Sequence, residues 1–278
     1  MSYRVVHLTL KPYPAPTATT AIDYACGVAA GFGAKLNVTS PRLRVHPPKH
    51  ALGGAMVRGI AREFEVEVAA KSAALESYVQ EKGRSLGLDV SITQVVASWP
   101  VAADDMTWRG RASDLCVVGL PQAGGEDRLD VEDWLFGLGR PCLLYLESRS
   151  DVCGWDSALV CWDASKSAAR AVSDALPILK LAKNVQILTV KGEKKISLED
   201  TKAPILDYLG AHDVKAGFIE AELAERSIGR TILNEADKAG ASLIVMGAYG
   251  HSRLKEFVLG GATKEMLNTT TIPLLMAH

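Results

Sequence analysis

The segment "ASLIVMGA" (residues 241–248) and its counterpart "SDLCVVGL" (113–120) decide how this chain is organised. Both are short apolar runs that end on a glycine, Gly247 and Gly119, the pattern of a strand buried on both faces. After each comes a polar loop, a short amphipathic segment and a last strand opened by proline, "IPLLMAH" (272–278) and "RPCLLYLE" (140–147). The chain therefore repeats once.

Upstream, the two halves stay in step. "YRVVHLTL" (3–10) and "SALVCWDA" (157–164) are β-type runs, each followed by an alanine-rich segment. In the second of these, Ala168, Ala169, Val172, Ala175, Leu176 and Leu179 recur at helical spacing and predict a buried helix face. "LNVTS" (36–40) and "VQILTV" (185–190) read as second strands, "DVSITQVV" (89–96) and "DVKAGFIEAE" (213–222) as third strands. Between the second and third strands of the first half, Ile60, Phe64, Val68, Leu75 and Val79 mark one face of a long helix. In the second half "ERSIGRTILNEADKAG" (225–240) leads back to the glycine-ended strand.

Strand and helix thus alternate twice through five strands. Parallel neighbours need crossover connections, so the pattern predicts an α/β chain of two tandem domains, each an open five-stranded, mainly parallel sheet with helices on both faces. The boundaries expected are 1–148 and 154–278, with the polar "SRSDVCGWD" (148–156) as linker. "RLRVHPPKHALGG" (42–54), with Pro47-Pro48 and Gly53-Gly54, reads as a surface loop.

Bulk composition removes several function classes. The 31 basic and 32 acidic residues nearly cancel to a formal charge of −1, which argues against a nucleic-acid partner. Hydrophobic residues make up 48% of the chain, yet no apolar stretch approaches the length of a membrane span. The five cysteines lack metal-type spacing; three sit in apolar runs and read as buried thiols. With no cleavage pattern near the N-terminus, a cytoplasmic location is expected. The five tryptophans are scattered without basic interleaving and read as packing residues, and the acidic cluster Asp127, Asp130, Glu132 and Asp133 reads as a helix start or solvated face.

The chemistry concentrates in "MGAYGHSRLKEFVLGGAT" (246–263), which carries Gly247-x2-Gly250-x9-Gly260-Gly261 between a strand and a helix start. Glycines let backbone N–H groups close on an anion, and a helix N-terminus adds partial positive charge. On spacing alone a flexible turn is the plainer reading. Neither G-x-x-x-x-G-K-[ST] nor G-x-G-x-x-G occurs between a strand and a helix, and no metalloprotease, serine hydrolase or deaminase motif is present.

Together with "VCWDASKSAARAVSDALPIL" (160–179), in which Asp163 follows the first strand, this glycine pattern resembles the ATP-binding motif of the universal stress protein family. The resemblance covers the second half strongly and the first half faintly. It implies Rossmann-like domains of the adenine-nucleotide alpha-hydrolase type and ATP, with Mg²⁺, as ligand. Asp163, with Trp162 beside it, would meet the adenosine portion; Thr189 and Val190 would flank the base, and Met246 would line its pocket. Gly247, Gly250, Gly260, Gly261, Ala262 and Thr263 would hold ribose and phosphates; the basic His251, Arg253 and Lys255 beside them read either as facing the phosphates or as solvated loop charges. Gly261 stands where many ATP binders carry Ser or Thr, which removes one side-chain donor worth about 0.5–1.5 kcal/mol.

The first half departs from the motif. It keeps Gly119, but Gln122 replaces the second glycine, and "QAGGEDRLDVEDW" (122–134) carries five acids that would repel a polyphosphate. Leu8-Thr9-Leu10 is read as standing where the second half has Trp-Asp-Ala. This half is expected to bind no nucleotide. By resemblance, the terminal strands near Tyr145 and Leu275 would pair across the two domains as an intramolecular pseudo-dimer, leaving a homodimer and other protein partners open. No residue is placed as a general base, so catalysis is not expected. The competing reading is an adaptor whose glycine loop is a relic.

Overall fold

The computed structural model describes residues 2–46, 54–99, 103–121, 128–147, 149, 154–191, 198–224, 227–248 and 261–278. Gly250, His251, Arg253, Lys255 and Gly260 of the glycine stretch lie outside the described residues.

In the first half the elements are β1 (Val5–Thr9), α1 (Thr19–Phe32), β2 (Lys35–Val45), α2 (Gly54–Ser85), β3 (Val90–Trp99), α3 (Ala103–Thr107), a 3₁₀ turn (Trp108–Ala112), β4 (Leu115–Leu120), α4 (Arg128–Leu138) and β5 (Cys142–Leu146). The second half follows with β6 (Ser157–Cys161), α5 (Lys166–Leu179), β7 (Asn184–Lys191), α6 (Leu198–Ala211), β8 (Gly217–Glu222), α7 (Ile228–Lys238), β9 (Leu243–Gly247), α8 (Gly261–Thr269) and β10 (Leu274–Ala277). All ten strands form one sheet in the order β3-β2-β1-β4-β5-β10-β9-β6-β7-β8. Each half is parallel within itself, as the alternation predicts. The halves meet antiparallel through Leu274↔Leu144, Leu275↔Leu143 and Met276↔Cys142.

Each face of this sheet carries one apolar core to which both halves contribute. On one face α1 (Ile22, Ala25, Val28) and α2 (Leu75, Val79) share a cluster with α5 (Val172, Leu176, Leu179) and α6 (Ile205, Leu209). On the other, α4 (Val131, Leu135, Leu138) joins α7 (Ile232, Ala236) and α8 (Met266, Leu267). Polar contacts cross the same seam. The Tyr3 hydroxyl donates to the Asp174 carbonyl at 2.6 Å, and the Trp155 indole N–H donates to the Tyr24 hydroxyl at 3.1 Å. Tyr24 stacks on Tyr145 at 3.8 Å, and Phe32 stacks on Trp155 at 5.5 Å. Trp155, at the end of the expected linker, is therefore anchored in the first half.

Several local expectations change. Arg42–Val45 is not loop: it continues β2, in register with Val96–Trp99 of β3. Arg42 donates to the Ala69 carbonyl at 3.1 Å and pairs with Glu76, while Leu43 is buried with Val68 and Ala97, so contacts distant in sequence extend the strand. Residues 47–53 of that stretch lie outside the described residues. Ile60 is exposed, and of the marked face only Val68, Leu75 and Val79 are buried. Ala169 is exposed too, and Ser167 takes a buried place beside Ala168. Trp108 is half exposed, with the Arg109 guanidinium 4.4 Å from its ring centroid, and so is not a core packing residue. Cys26, Cys116 and Cys142 are buried thiols, and burial pushes Cys116 up to about 12. Among the described residues no helix is long and apolar enough to cross a membrane.

The halves differ in the polarity of one internal site. Val6 pairs with Leu115 as Ala158 pairs with Leu243, so His7 and Thr9 occupy the places of Leu159 and Cys161. Thr39, opposite Thr9, takes that of Leu188. His7 Nε2 lies 3.1 Å from Thr9 Oγ1 and 3.5 Å from Thr39 Oγ1. Burial, helped by the nearby Arg109 charge, lowers the His7 pKa to about 4.

Two outcomes follow from this architecture. Tyr145→Ala, at a fully buried ring in the seam, is expected to destabilise the chain by about 3–5 kcal/mol. Because the cores are shared, denaturant titration followed by circular dichroism and tryptophan fluorescence should show both halves shifting together. The His7 pKa is lower folded than unfolded, so between pH 6.5 and 4 the unfolded chain binds the extra proton. Stability is full above about pH 6.5, declines as pH falls toward 4, and loses up to about 3 kcal/mol. His7→Leu should flatten that decline when urea midpoints at neutral and acid pH are compared.

Candidate functional site

In the second half, strand order reverses between β6 and β9: β7 and β8 lie on one side of β6, β9 and β10 on the other. Ligands of open parallel sheets bind at the carboxyl ends of strands at such a point. A cavity of about 190 Å³ opens there. Its described lining includes Trp162 and Asp163 from the end of β6, Met246 and Gly247 from β9, Val190 from β7, and Gly261, Ala262 and Thr263 from the start of α8. Eight of the nine described residues singled out from the sequence therefore come together on one wall system. Thr189 is the exception: it is buried and donates its hydroxyl to the Trp162 carbonyl at 2.8 Å, which ties β7 to the loop carrying Asp163.

The approach to α5 shapes the Asp163 corner. Asp163 Oδ1 accepts the Ser165 N–H at 2.9 Å, and Ala164 between them is left-handed at φ 56°. A non-glycine residue in that region costs about 1–2 kcal/mol, so the turn stores strain next to the acid. Ser165 then caps α5 by accepting the Ala168 N–H at 3.1 Å. Ser165 and Ser167 both line the cavity, their hydroxyls 3.1 Å apart. Sequence reasoning did not select them, although a Ser-x-Ser at a helix start after an acid is a readable signal. Leu188, Ile228 and Ile232 add apolar lining together with Cys161 and Ala168, and no motif marks the three.

Gly247 is required by packing. A Cβ there would lie 2.5 Å from the Ala168 nitrogen and 2.6 Å from the Ser167 carbonyl carbon, both backbone atoms of the α5 start. At Gly261, by contrast, an added Cβ meets nothing within 4 Å among the described residues. Among the described residues the start of α8 leaves room for a side chain, whereas the α5 backbone closes on Gly247. On the far wall, Ser227 caps α7 through the Arg230 N–H and donates to Glu265 Oε2 at 2.5 Å, holding α8 against α7. Among the described residues the buried Trp162 indole N–H has no hydrogen-bond partner. An unmade bond of this kind costs about 1–3 kcal/mol unless something else supplies the acceptor.

The matching place in the first half is nearly filled. Its cavity measures about 20 Å³, lined by Thr9, Lys11, Thr17, Val118, Gly119, Pro121, Val131, Trp134 and Glu147. The strand register corrects the expected correspondence. With Val6 equivalent to Ala158, the position matching Asp163 is Lys11, and Leu10 matches Trp162; Leu8-Thr9-Leu10 does not align with Trp-Asp-Ala. Basic charge thus replaces the acid. Glu147 crowds Gly119, its carboxylate against the space a Cβ would take.

A profile of the universal stress protein family matches residues 154–278. A curated universal stress protein of Synechocystis is 39% identical over 62 residues; that segment is 22% of this chain and 22% of the relative, so the chain aligns with about a fifth of its relative's length. Over the whole chain, a universal stress protein structure from Archaeoglobus fulgidus aligns at TM-score 0.73 and 16% identity, covering 98% of this chain and 95% of its own. Another, from Pseudomonas aeruginosa, aligns at TM-score 0.59 and 15% identity, covering 99% and 93%. At such identities the structural likenesses establish the fold. Residues 154–278 thus match the universal stress protein family, and over its whole length the chain shares the fold of universal stress protein structures.

Proposed function

We propose that residues 1–148 and 154–278 are two universal stress domains, of which only the second takes an adenine nucleotide, ATP with Mg²⁺, and that occupancy governs association with protein partners in a stress response. The observation that carries this reading is the contrast between cavities of about 190 and about 20 Å³ at equivalent places of one repeated fold.

The residues present suit the ligand. The apolar walls of Val190, Met246 and Ile232 accept a flat base, and Asp163 supplies an acceptor for an amino or hydroxyl group. The orphaned Trp162 N–H offers a donor. The α5 and α8 starts both line the cavity, and the N–H groups of a helix start favour phosphate. Among the described residues no group of three His, Cys, Asp or Glu side chains gathers, so Mg²⁺ would arrive on the phosphates. The reading is one of binding rather than turnover. A cytoplasmic setting fits that role.

Isothermal titration of the apo protein with ATP and Mg²⁺ is expected to give one site per chain. Asp163→Ala should abolish or severely weaken it. Two equivalent sites per chain, or no binding at millimolar nucleotide and none released on denaturation, would overturn the reading in favour of a pure adaptor. Gly261→Ser has room for its side chain and restores a phosphate donor; it should tighten binding about 2- to 12-fold, the equivalent of one hydrogen bond.

A further inference from the structure

The two edges of the ten-stranded sheet are unlike. β8 is six residues long, carries Glu220 and Glu222, and engages Lys191 through both. Charges and shortness are the usual protection of an edge against pairing with another chain. β3, at the other end, has ten residues, "VSITQVVASW", without one charge or proline.

Backbone phase decides what that edge offers. The Leu36 N–H of β2 donates to the Asp89 carbonyl at 2.9 Å, and Leu36 is in register with Val90. The odd-numbered residues of β3 therefore turn their amide groups toward β2, and Val90, Ile92, Gln94, Val96 and Ser98 turn theirs outward. Among the described residues no backbone partner meets these outward groups. Val96 is 66% exposed, and Gln94 and Ser98 are exposed as well.

We propose that β3 pairs with β3 of a second copy of this chain, antiparallel about a two-fold axis through Gln94, joining two ten-stranded sheets into one. That register sets Ile92 against Val96 and Val90 against Ser98, apolar or neutral at every pair. All five outward residues meet as hydrogen-bonded pairs on a common face. A strand paired with itself is isologous and closes at two copies. Assembly stops there because the remaining edges are the charged β8 strands. This surface is separate from the nucleotide cavity, so the dimer forms with or without ligand.

Sedimentation of the full chain without nucleotide, from low to high micromolar concentration, should show a shift from the 29.7 kDa chain to twice that mass. Val96→Pro removes an outward N–H that β2 does not use and leaves the fold intact by circular dichroism; it should weaken dimerisation by at least about tenfold. Val96→Lys, a second variant that keeps the backbone donor, places a charge against Ile92 and should do the same. In hydrogen exchange, the amides of Ile92, Gln94 and Val96 should gain protection with concentration, while those of Ser91, Thr93 and Val95 stay protected throughout. A chain that remains monomeric, doubling that survives either substitution, or concentration-dependent protection located elsewhere would overturn the proposal.

Discussion

Three residue pairs between β5 and β10 hold the architecture together. Both strands are buried along their whole length, so in a separate half either would be a wholly apolar edge with unpaired amides. Pairing them antiparallel removes both edges at once. It also sets the two halves about an approximate two-fold axis, which brings α1 and α5 to one face and α4 and α8 to the other. The two main cores are then shared by both halves, and only the small cluster of Leu43, Val68, Ala97 and Met106 belongs to the first half alone. The Tyr24 and Tyr145 stack and the Tyr3 to Asp174 hydrogen bond are consequences of that juxtaposition.

The same fold makes two switch points, and side chains decide what each becomes. Around β6 the strand end carries Asp163, and the apolar Leu188, Val190 and Met246 leave an open space. Around β1 the equivalent place carries Lys11, Trp134 and Glu147 in the lining of a much smaller space, with the Glu147 carboxylate against Gly119. Behind it, His7, Thr9 and Thr39 form a polar contact where the second half has Leu159, Cys161 and Leu188. A repeated backbone thus carries two cavities of unequal size, about 190 Å³ in the second half and about 20 Å³ in the first. The glycines follow the same logic: Gly247 permits the α5 backbone to close in, whereas the space beside Gly119 is taken by a carboxylate.

Much of the fold could be read directly. Apolar runs closed by glycine, alanine-rich helices and proline-opened last strands are local patterns of period two or 3.6, and they yielded the element order, while the pairing of the terminal strands followed from the family resemblance. Asp163, Met246, Gly247 and Thr263 could be picked out because a motif marks them. Ser165 and Ser167 were missed because capping groups are short and common, and their role depends on where the helix starts. Arg42–Val45 was misread because prolines and glycines beyond it suggested a loop, while the contacts that hold it come from Glu76 and Val68.

By itself the sequence determined a twice-repeated α/β pattern, a glycine-rich stretch with an acid upstream, and a nearly neutral charge. These are properties of neighbouring residues, which local periodicity encodes. The tertiary structure decided that Lys11 answers to Asp163, that the first cavity is small, that the two main cores are shared, and that β3 is left as an uncharged edge. Each of those depends on strand register and on side chains brought together from remote segments, and a shift of one residue in register would put every one of them on the other face.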